Sequence, residues 1–331
     1  MHALLQLLPL TRASSSGYCQ SGRGTPKLAP PHRADSTHRG SEGKKRTEVL
    51  KEIKSECVCA CEREKQKKRE SRKREREKME GLLSLTQRSP GLCVAASSLM
   101  FRVVHWLLQT LPRPKAVELD AFRAWKWKNL SVSLVHSLLT GSWAITCVLL
   151  WPEMLHQIYS TYTPVSYLLI CVSTGYFVQD ACDIIFTGHA RGSWEFLLHH
   201  VLVIWCFLYA ICTTHYVAGA VIALFVEVNS VFLHMRLMLK IAGAQSSPLY
   251  HINKMLNLFT YVTFRLGAQF YITWYILHNY SWLDHGSYFL TTMVLMNIMM
   301  LIYFYRLLRA DFFPNRKAHP IQNGSTKFLR D

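Results

Sequence analysis

At 331 residues, half of them hydrophobic and 12% aromatic, the chain has the length of two soluble domains or of one polytopic membrane protein, and the distribution of residues decides between them. Beyond about residue 90, windows of about 20 residues run almost free of charge, the length that crosses about 30 Å of hydrocarbon. The formal net charge of +17 gathers at the front of the chain and in short loops, which speaks for membrane orientation rather than nucleic-acid binding. Ten cysteines lie mostly in the front segment or the apolar runs, which argues against a disulfide framework.

Residues 1 to about 88 have the composition of a disordered basic tail, either kept in the mature protein or absent from it. They are rich in Ser, Gly, Pro and Arg and end in a charge run from Glu62 to Lys78 that cannot bury enough apolar area to offset chain entropy. Cys57, Cys59 and Cys61 alternate without a matching second pair, so they read as spare thiols or acylation sites rather than zinc ligands. The apolar run 91–111, broken by Arg102 and His105, reads either as a first spanning helix or as the core of a secretory signal. Residues 112–128 carry five cations with Trp125 and Trp127 and read as a cytoplasmic interface loop.

Six core spans follow, at about 129–151, 164–186, 196–215, 218–239, 256–278 and 287–308. Their connections alternate in charge. Loops 152–163, 213–218 and 279–286 contain no Lys or Arg, whereas Arg191 lies in 187–195 and Lys240 and Lys254 lie in 240–255. Basic residues also follow residue 308, so both ends of the six-helix core are expected in the cytoplasm, with 316–331 as a cytoplasmic tail. A spanning 91–111 run would start the chain outside, which the basic front segment opposes. That conflict eases if translation starts at Met79 or if the run is removed as a signal.

Several polar residues sit inside these spans, where polar groups are costly and mark functional sites by default. His199 and His200 enter the apolar run that begins at Trp194, with Glu195 one turn before His199. On 164–186, Tyr176, Asp180, Asp183 and Thr187 stack on one face, with Asp183 expected as a helix end near water and Asp180 deeper. Glu227, Ser230 and His234 fall within about 60° of one another, while Arg236 and Lys240 point to the opposite side and are expected to snorkel. The short turn between these two helices makes them antiparallel neighbours, which predicts a pocket shared by His199 or His200 with Glu227 and His234.

Such a pocket suits a general base or nucleophile, a zinc ion held by three histidines and an acid, or a hydrogen-bonded layer that fixes helix packing, and spacing leaves all three open. Arg265 is a lone cation in its helix and needs an anion, for which Glu227, Asp180 or a lipid headgroup are candidates. His136 and Ser137 read as interfacial.

From about 91 to 315 the chain resembles the TLC-domain family, which includes the ceramide synthases. The resemblance is carried by Trp125-Lys-Trp-Lys-Asn129, Val135-His-Ser137, Gly175-Tyr-Phe-Val-Gln-Asp180 with Asp183, Ser193-Trp-Glu195 with His199 and His200, Glu227-Val-Asn-Ser230, Phe264-Arg-Leu266, and Tyr303 through Arg309. It implies an all-α membrane protein built as a six-helix transmembrane bundle, which the 91–111 run precedes as a further N-terminal spanning or signal helix. In the ceramide synthases the histidine pair is followed by a His-Asp-x-x-Asp signature, and both serve acyl transfer from acyl-CoA. At that position this chain has Val226, then Glu227 and Ser230, so the second histidine is missing and one of two acids survives.

The resemblance therefore implies a regulator of plasma-membrane phospholipid composition that limits polyunsaturated acyl chains and keeps the bilayer rigid, with the endoplasmic reticulum as the alternative location. Its partners would be phospholipids or acyl chains, not nucleic acid, with Asp180, Asp183, Ser230, His234 and Arg265 around the lipid. No metal or cofactor is expected. In the alternative, an acyltransferase, His199, His200 and Glu227 would be catalytic and acyl-CoA the donor.

Overall fold

The structure, a computed structural model, describes residues 62–313 except 76, 79, 82, 83, 85, 86 and 119. The chain divides into two units, Met1–Lys78 and Met79–Asp331. In the first, residues 62–75 are helical and exposed, where an irregular chain was expected. The reason is local: Glu, Lys and Arg are good helix formers, and Lys68 pairs with Glu64 one turn away at 2.8 Å. Residues 1–61, with Cys57, Cys59 and Cys61, and the expected cytoplasmic tail after residue 313 lie outside the described residues.

The second unit is an all-α membrane bundle, with no strand among the described residues. Helix α1 (Pro90–Gln109) buries Ser97, Phe101 and His105, a stripe of every fourth residue. Helix α2 (Ala121–Leu150) begins at Asp120, whose carboxylate accepts the Phe122 N–H at 2.9 Å. The second half of the loop expected at 112–128, residues 121–128, is thus helical, because the cap lies eight residues earlier than the first charge-free window suggests. Helix α3 (Pro164–Phe186) starts with a capping box between Thr163 and Ser166 and a proline in its first turn.

Helix α4 (Trp194–Thr213) and the pair α5 (Val217–Ala223) and α6 (Val226–Ile241) form an antiparallel hairpin. Between α5 and α6 the chain tightens, with Glu227 N–H bonded to Leu224 O at 3.0 Å and Val228 N–H to Phe225 O at 3.1 Å, three residues back instead of four. Helix α7 (Pro248–Thr260), capped by Ser247, runs through a π-helical turn at Tyr261–Leu266 into α8 (Gly267–His278). Helix α9 (Gly286–Phe312) closes the bundle.

Among the described residues, six stretches are long and apolar enough to cross a membrane: Pro90–Gln109, Ala121–Leu150, Pro164–Phe186, Ala190–Thr213, Val217–Ile241 and Gly286–Phe312. Five coincide with expected spans. The sixth expected span, 256–278, forms the larger part of the continuous rod α7–π–α8, whose regular α-helical pieces of 13 and 12 residues are each too short to qualify alone. Leu149, Leu150, Phe186 and Trp205 are exposed, the surface a bilayer covers.

Two glycines set the closest helix contacts. A Cβ on Gly175 of α3 would stand 2.5 Å from the Ser97 Cβ and 2.7 Å from the Ser98 nitrogen and the Val94 oxygen, so α1 lies against α3 nearly backbone to backbone. A Cβ on Gly141 of α2 would stand 3.2 Å from Val228 N and 3.3 Å from the Glu227 carbonyl carbon of α6. Polar side chains elsewhere on these helices bond back to their own backbone, as Ser133 does to Asn129 O at 2.9 Å and Thr174 to Ile170 O at 2.7 Å.

Candidate functional site within the bundle

The polar residues of the spans form a ladder of three layers along α3 and its neighbours. The outermost, three residues from the end of α3, is built on Asp183. Its carboxylate accepts from Arg102 Nη1 at 3.1 Å and Trp125 Nε1 at 3.3 Å, with His105 Nδ1 at 4.0 Å. Asp183 is buried under these partners rather than standing in water at a helix end.

One turn deeper lies Asp180, which accepts from Asn129 Nδ2 at 2.5 Å and faces His200 Nε2 at 3.1 Å. His200 Nδ1 lies 2.8 Å from the Phe196 carbonyl, which can only accept, so Nδ1 carries a proton. Nε2 approaches Asp180 Oδ2 obliquely, and two bare lone pairs at that distance would repel; the contact is stable with one proton held on one of the two atoms. Both side chains are almost fully buried. His199 lies about 100° around the helix and makes ring contacts with Phe196 and His200.

The third layer is centred on Glu227. Ser137 donates to its Oε2 at 2.6 Å, and His136 Nδ1 lies 3.8 Å from the same oxygen. His136 stacks on Tyr176 at 3.7 Å between centroids, and the Tyr176 hydroxyl donates to Ser133 at 2.8 Å, which links this layer to the one below. Arg265, presented by the π-helical turn, donates from Nε to Asn229 Oδ1 at 2.9 Å and from Nη2 to Ser230 at 2.8 Å. Asn229 in turn donates to Asn257 and Thr260.

Several expectations are corrected by this geometry. The histidine pair and Glu227 do not meet directly: His200 pairs with Asp180, and the imidazole beside Glu227 is His136. His136 and Ser137 are fully buried rather than interfacial, because α2 starts at Ala121 and places them at its middle. Arg265 makes its hydrogen bonds to the neutral Asn229 and Ser230 and no ion pair with an acid, although its charge reaches Glu227, one of the expected anions. His234 is half-buried with Nδ1 unpartnered and makes no bond to Glu227. Glu195 turns away from His199 and binds Arg306 at 2.6 and 3.1 Å. Arg236 is buried in an ion pair with Asp311 instead of snorkelling.

The residues missed by spacing were Asn129 and Ser133 as partners of α3. With His136, Ser137 and Thr140 they make a polar stripe at intervals of four, three, one and three, legible as one helix face once the helix is begun at Ala121. Among the described residues no three His, Cys, Asp or Glu side chains converge as metal ligands. Val226, where the family signature carries a histidine, packs beside Tyr261, Met296 and Met300.

A family model described as TLC domain matches residues 126–309. The chain is 41% identical over 235 residues to TLC domain-containing protein 1 of Rattus norvegicus, covering 71% of this chain and 94% of that protein. It is 40% identical over 247 residues to TLC domain-containing protein 1 of Gallus gallus, covering 74% and 98%. With TLC domain-containing protein 2 of Danio rerio it shares 40% over 229 residues, covering 69% and 92%.

Proposed function

The chain belongs to the TLC-domain family, and we propose that it acts at the plasma membrane as a regulator of phospholipid composition, limiting the incorporation of polyunsaturated acyl chains and so favouring a more rigid bilayer. The observation that carries the non-enzymatic form is the state of the inner network. Glu227 is engaged by Ser137, Arg265 by Asn229 and Ser230, and Asp180 by Asn129 and His200. Groups tied to one another in a packed interior hold helices in register, whereas acid–base catalysis needs a group within reach of a substrate proton. The Val226 contact supports the same reading, since the position of the signature histidine contributes packing. In this reading Asp180, Asp183, Ser230, His234 and Arg265 shape the bundle against which a phospholipid or acyl chain lies. Lipid analysis of cells lacking the protein tests it: polyunsaturated phosphatidylethanolamine should rise, and an unchanged acyl profile, with or without added palmitate, rejects it.

One observation favours a second reading, an acyl-CoA-dependent acyltransferase. His200 Nε2 faces the Asp180 carboxylate at 3.1 Å in a buried site, an arrangement that serves as general base once the proton between them is given up, with His199 adjacent and Glu227 in the next layer. Purified protein supplied with acyl-CoA and amine or lysolipid acceptors decides between them. Acyl product that disappears in His200→Ala supports the enzyme, and absence of product removes it.

A further inference from the structure

At the opposite end of the bundle from Asp183, three loops without a single Lys or Arg meet: 152–163, 213–218 and 279–286. By the charge rule this is the outer face. Tyr159 donates its hydroxyl proton to Asp284 Oδ2 at 2.5 Å, so His215 Nδ1, 3.2 Å from the Tyr159 hydroxyl oxygen, acts as donor to that hydroxyl. Tyr216 donates to the Asp284 carbonyl at 2.9 Å, and the Tyr209 hydroxyl lies 3.1 Å from His285 Nδ1. Around Tyr159 stand His215, stacked at 4.5 Å, and Trp282 and Tyr216, edge-on at 5.6 and 5.0 Å.

The backbone here is unusual. Among the described residues the non-glycine positions with positive φ are Thr214 (60°), Tyr216 (61°) and His285 (55°), all within this cluster. Such backbone is strained and persists where surrounding contacts hold it. Yet the cluster is not closed: Asp284 and His285 are exposed, Trp282 is 55% exposed, and Asp284 Oδ1 takes no hydrogen bond.

A cleft of about 580 Å³ opens beside it, between α4 and α9. Tyr209, His285 and Tyr288 form its head and Trp205, Leu202 and Val201 its wall. From Tyr209 to Val201 the wall runs about 12 Å along α4, enough for the upper part of an acyl chain.

We infer that this outer cluster and cleft bind a choline phospholipid of the outer leaflet, its trimethylammonium group at Asp284 and Trp282, its phosphate at His285 and its acyl chain along Trp205, Leu202 and Val201. A carboxylate beside open aromatic faces, in loops free of cations, attracts a cation and repels an anionic headgroup. Aromatic faces favour a quaternary ammonium, which has no N–H to satisfy. A hydroxyl proton given by Tyr209 to His285 Nδ1 leaves Nε2–H as a donor for the phosphate. The cleft itself is almost wholly apolar, as an acyl chain requires. The assignment is independent of the inner network and of any effect on acyl composition.

The test uses the full chain in nanodiscs of phosphatidylcholine, phosphatidylethanolamine and phosphatidylglycerol with matched acyl chains, counting lipids retained on the protein by native mass spectrometry during stepwise delipidation. Phosphatidylcholine should be retained at least about fivefold over phosphatidylglycerol, and Asp284→Asn and Trp282→Ala should each lower its retention about three- to tenfold. Asp284→Asn keeps an oxygen for Tyr159, and Trp282 is exposed, so both variants should elute as the parent does. Retention of phosphatidylethanolamine equal to phosphatidylcholine overturns the choline assignment. Retention unchanged by both variants, or highest for phosphatidylglycerol, overturns the site.

Discussion

Replacing Asp180 tests the inner network most directly, because its carboxylate joins three helices: α3 itself, α2 through Asn129 and α4 through His200. Asp180→Ala removes both contacts and leaves His200, 1% exposed, with Nε2 facing an empty space. Breaking a buried charged pair from one side costs about 3–5 kcal/mol. Asp180→Asn keeps an oxygen and an N–H in the same place. A neutral His200 protonated on Nδ1 can then accept the new N–H at Nε2, so the loss falls to about 1 kcal/mol. For a unit of this size 1 kcal/mol is about 2–4 °C, so melting of detergent-solubilised protein should fall by about 6–20 °C for Asp180→Ala and about 2–4 °C for Asp180→Asn. A double mutant with His200→Ala should cost less than the two single losses combined, since both remove one interaction. Strict additivity, or equal losses for Ala and Asn, would refute the shared-proton pair.

Two further outcomes follow from local geometry. Gly175→Ala should destabilise the protein by about 1–3 kcal/mol, because the new Cβ meets the α1 backbone at 2.7 Å; Ser97→Gly, which removes the 2.5 Å contact, should recover part of that loss, and no change in melting would mean that α1 does not pack there. The hydrogen bond from Tyr159 to Asp284 is the main cause that pushes its phenol up to about 12, from the usual value near 10. A group whose folded pKa is raised stabilises the fold fully below its unfolded pKa and loses that contribution as pH climbs through the folded one, so the outer loops should loosen between about pH 10 and 12. Tyr159→Phe should remove that alkaline step in a melting-versus-pH series, and a step of unchanged size in the variant would assign it elsewhere.

The sequence carries the fold because membrane spans are written in composition. Three helix starts are written as well, in Asp120, in Thr163 before Pro164 and in Ser247 before Pro248. Two boundaries misled. The basic residues 123–128 looked like loop, so His136 was placed near an interface, although the charges ride on the first turns of a 30-residue helix. The π-helical turn, which a hydropathy window cannot register, sets Arg265 on Asn229 and Ser230, so that it makes no ion pair with an acid. Helix periodicity placed Glu227 and Ser230 on one buried face correctly. It could not tell which imidazole would meet Glu227, because that depends on how closely α2 approaches α6 at Gly141, a tertiary fact. Arg236 was misread for a related reason: its partner Asp311 lies 75 residues on, beyond any local pattern.

The ladder also explains how a bundle with this many buried polar groups remains compatible with a bilayer. Each inner acid meets its partners from other helices: Asp183 from α1 and α2, Asp180 from α2 and α4, Glu227 from α2. Hydrocarbon supplies no alternative partner, so sliding a helix by one residue would strand several of these groups at once. Apolar surfaces in lipid lack that discrimination, because tails and side chains attract each other about equally. The polar layers therefore set the register that the hydrophobic effect cannot set here. A TLC-domain chain that gives up the signature histidine for Val226 keeps this register intact, since neither Val226 nor the apolar cluster of Tyr261, Met296 and Met300 beside it belongs to the ladder.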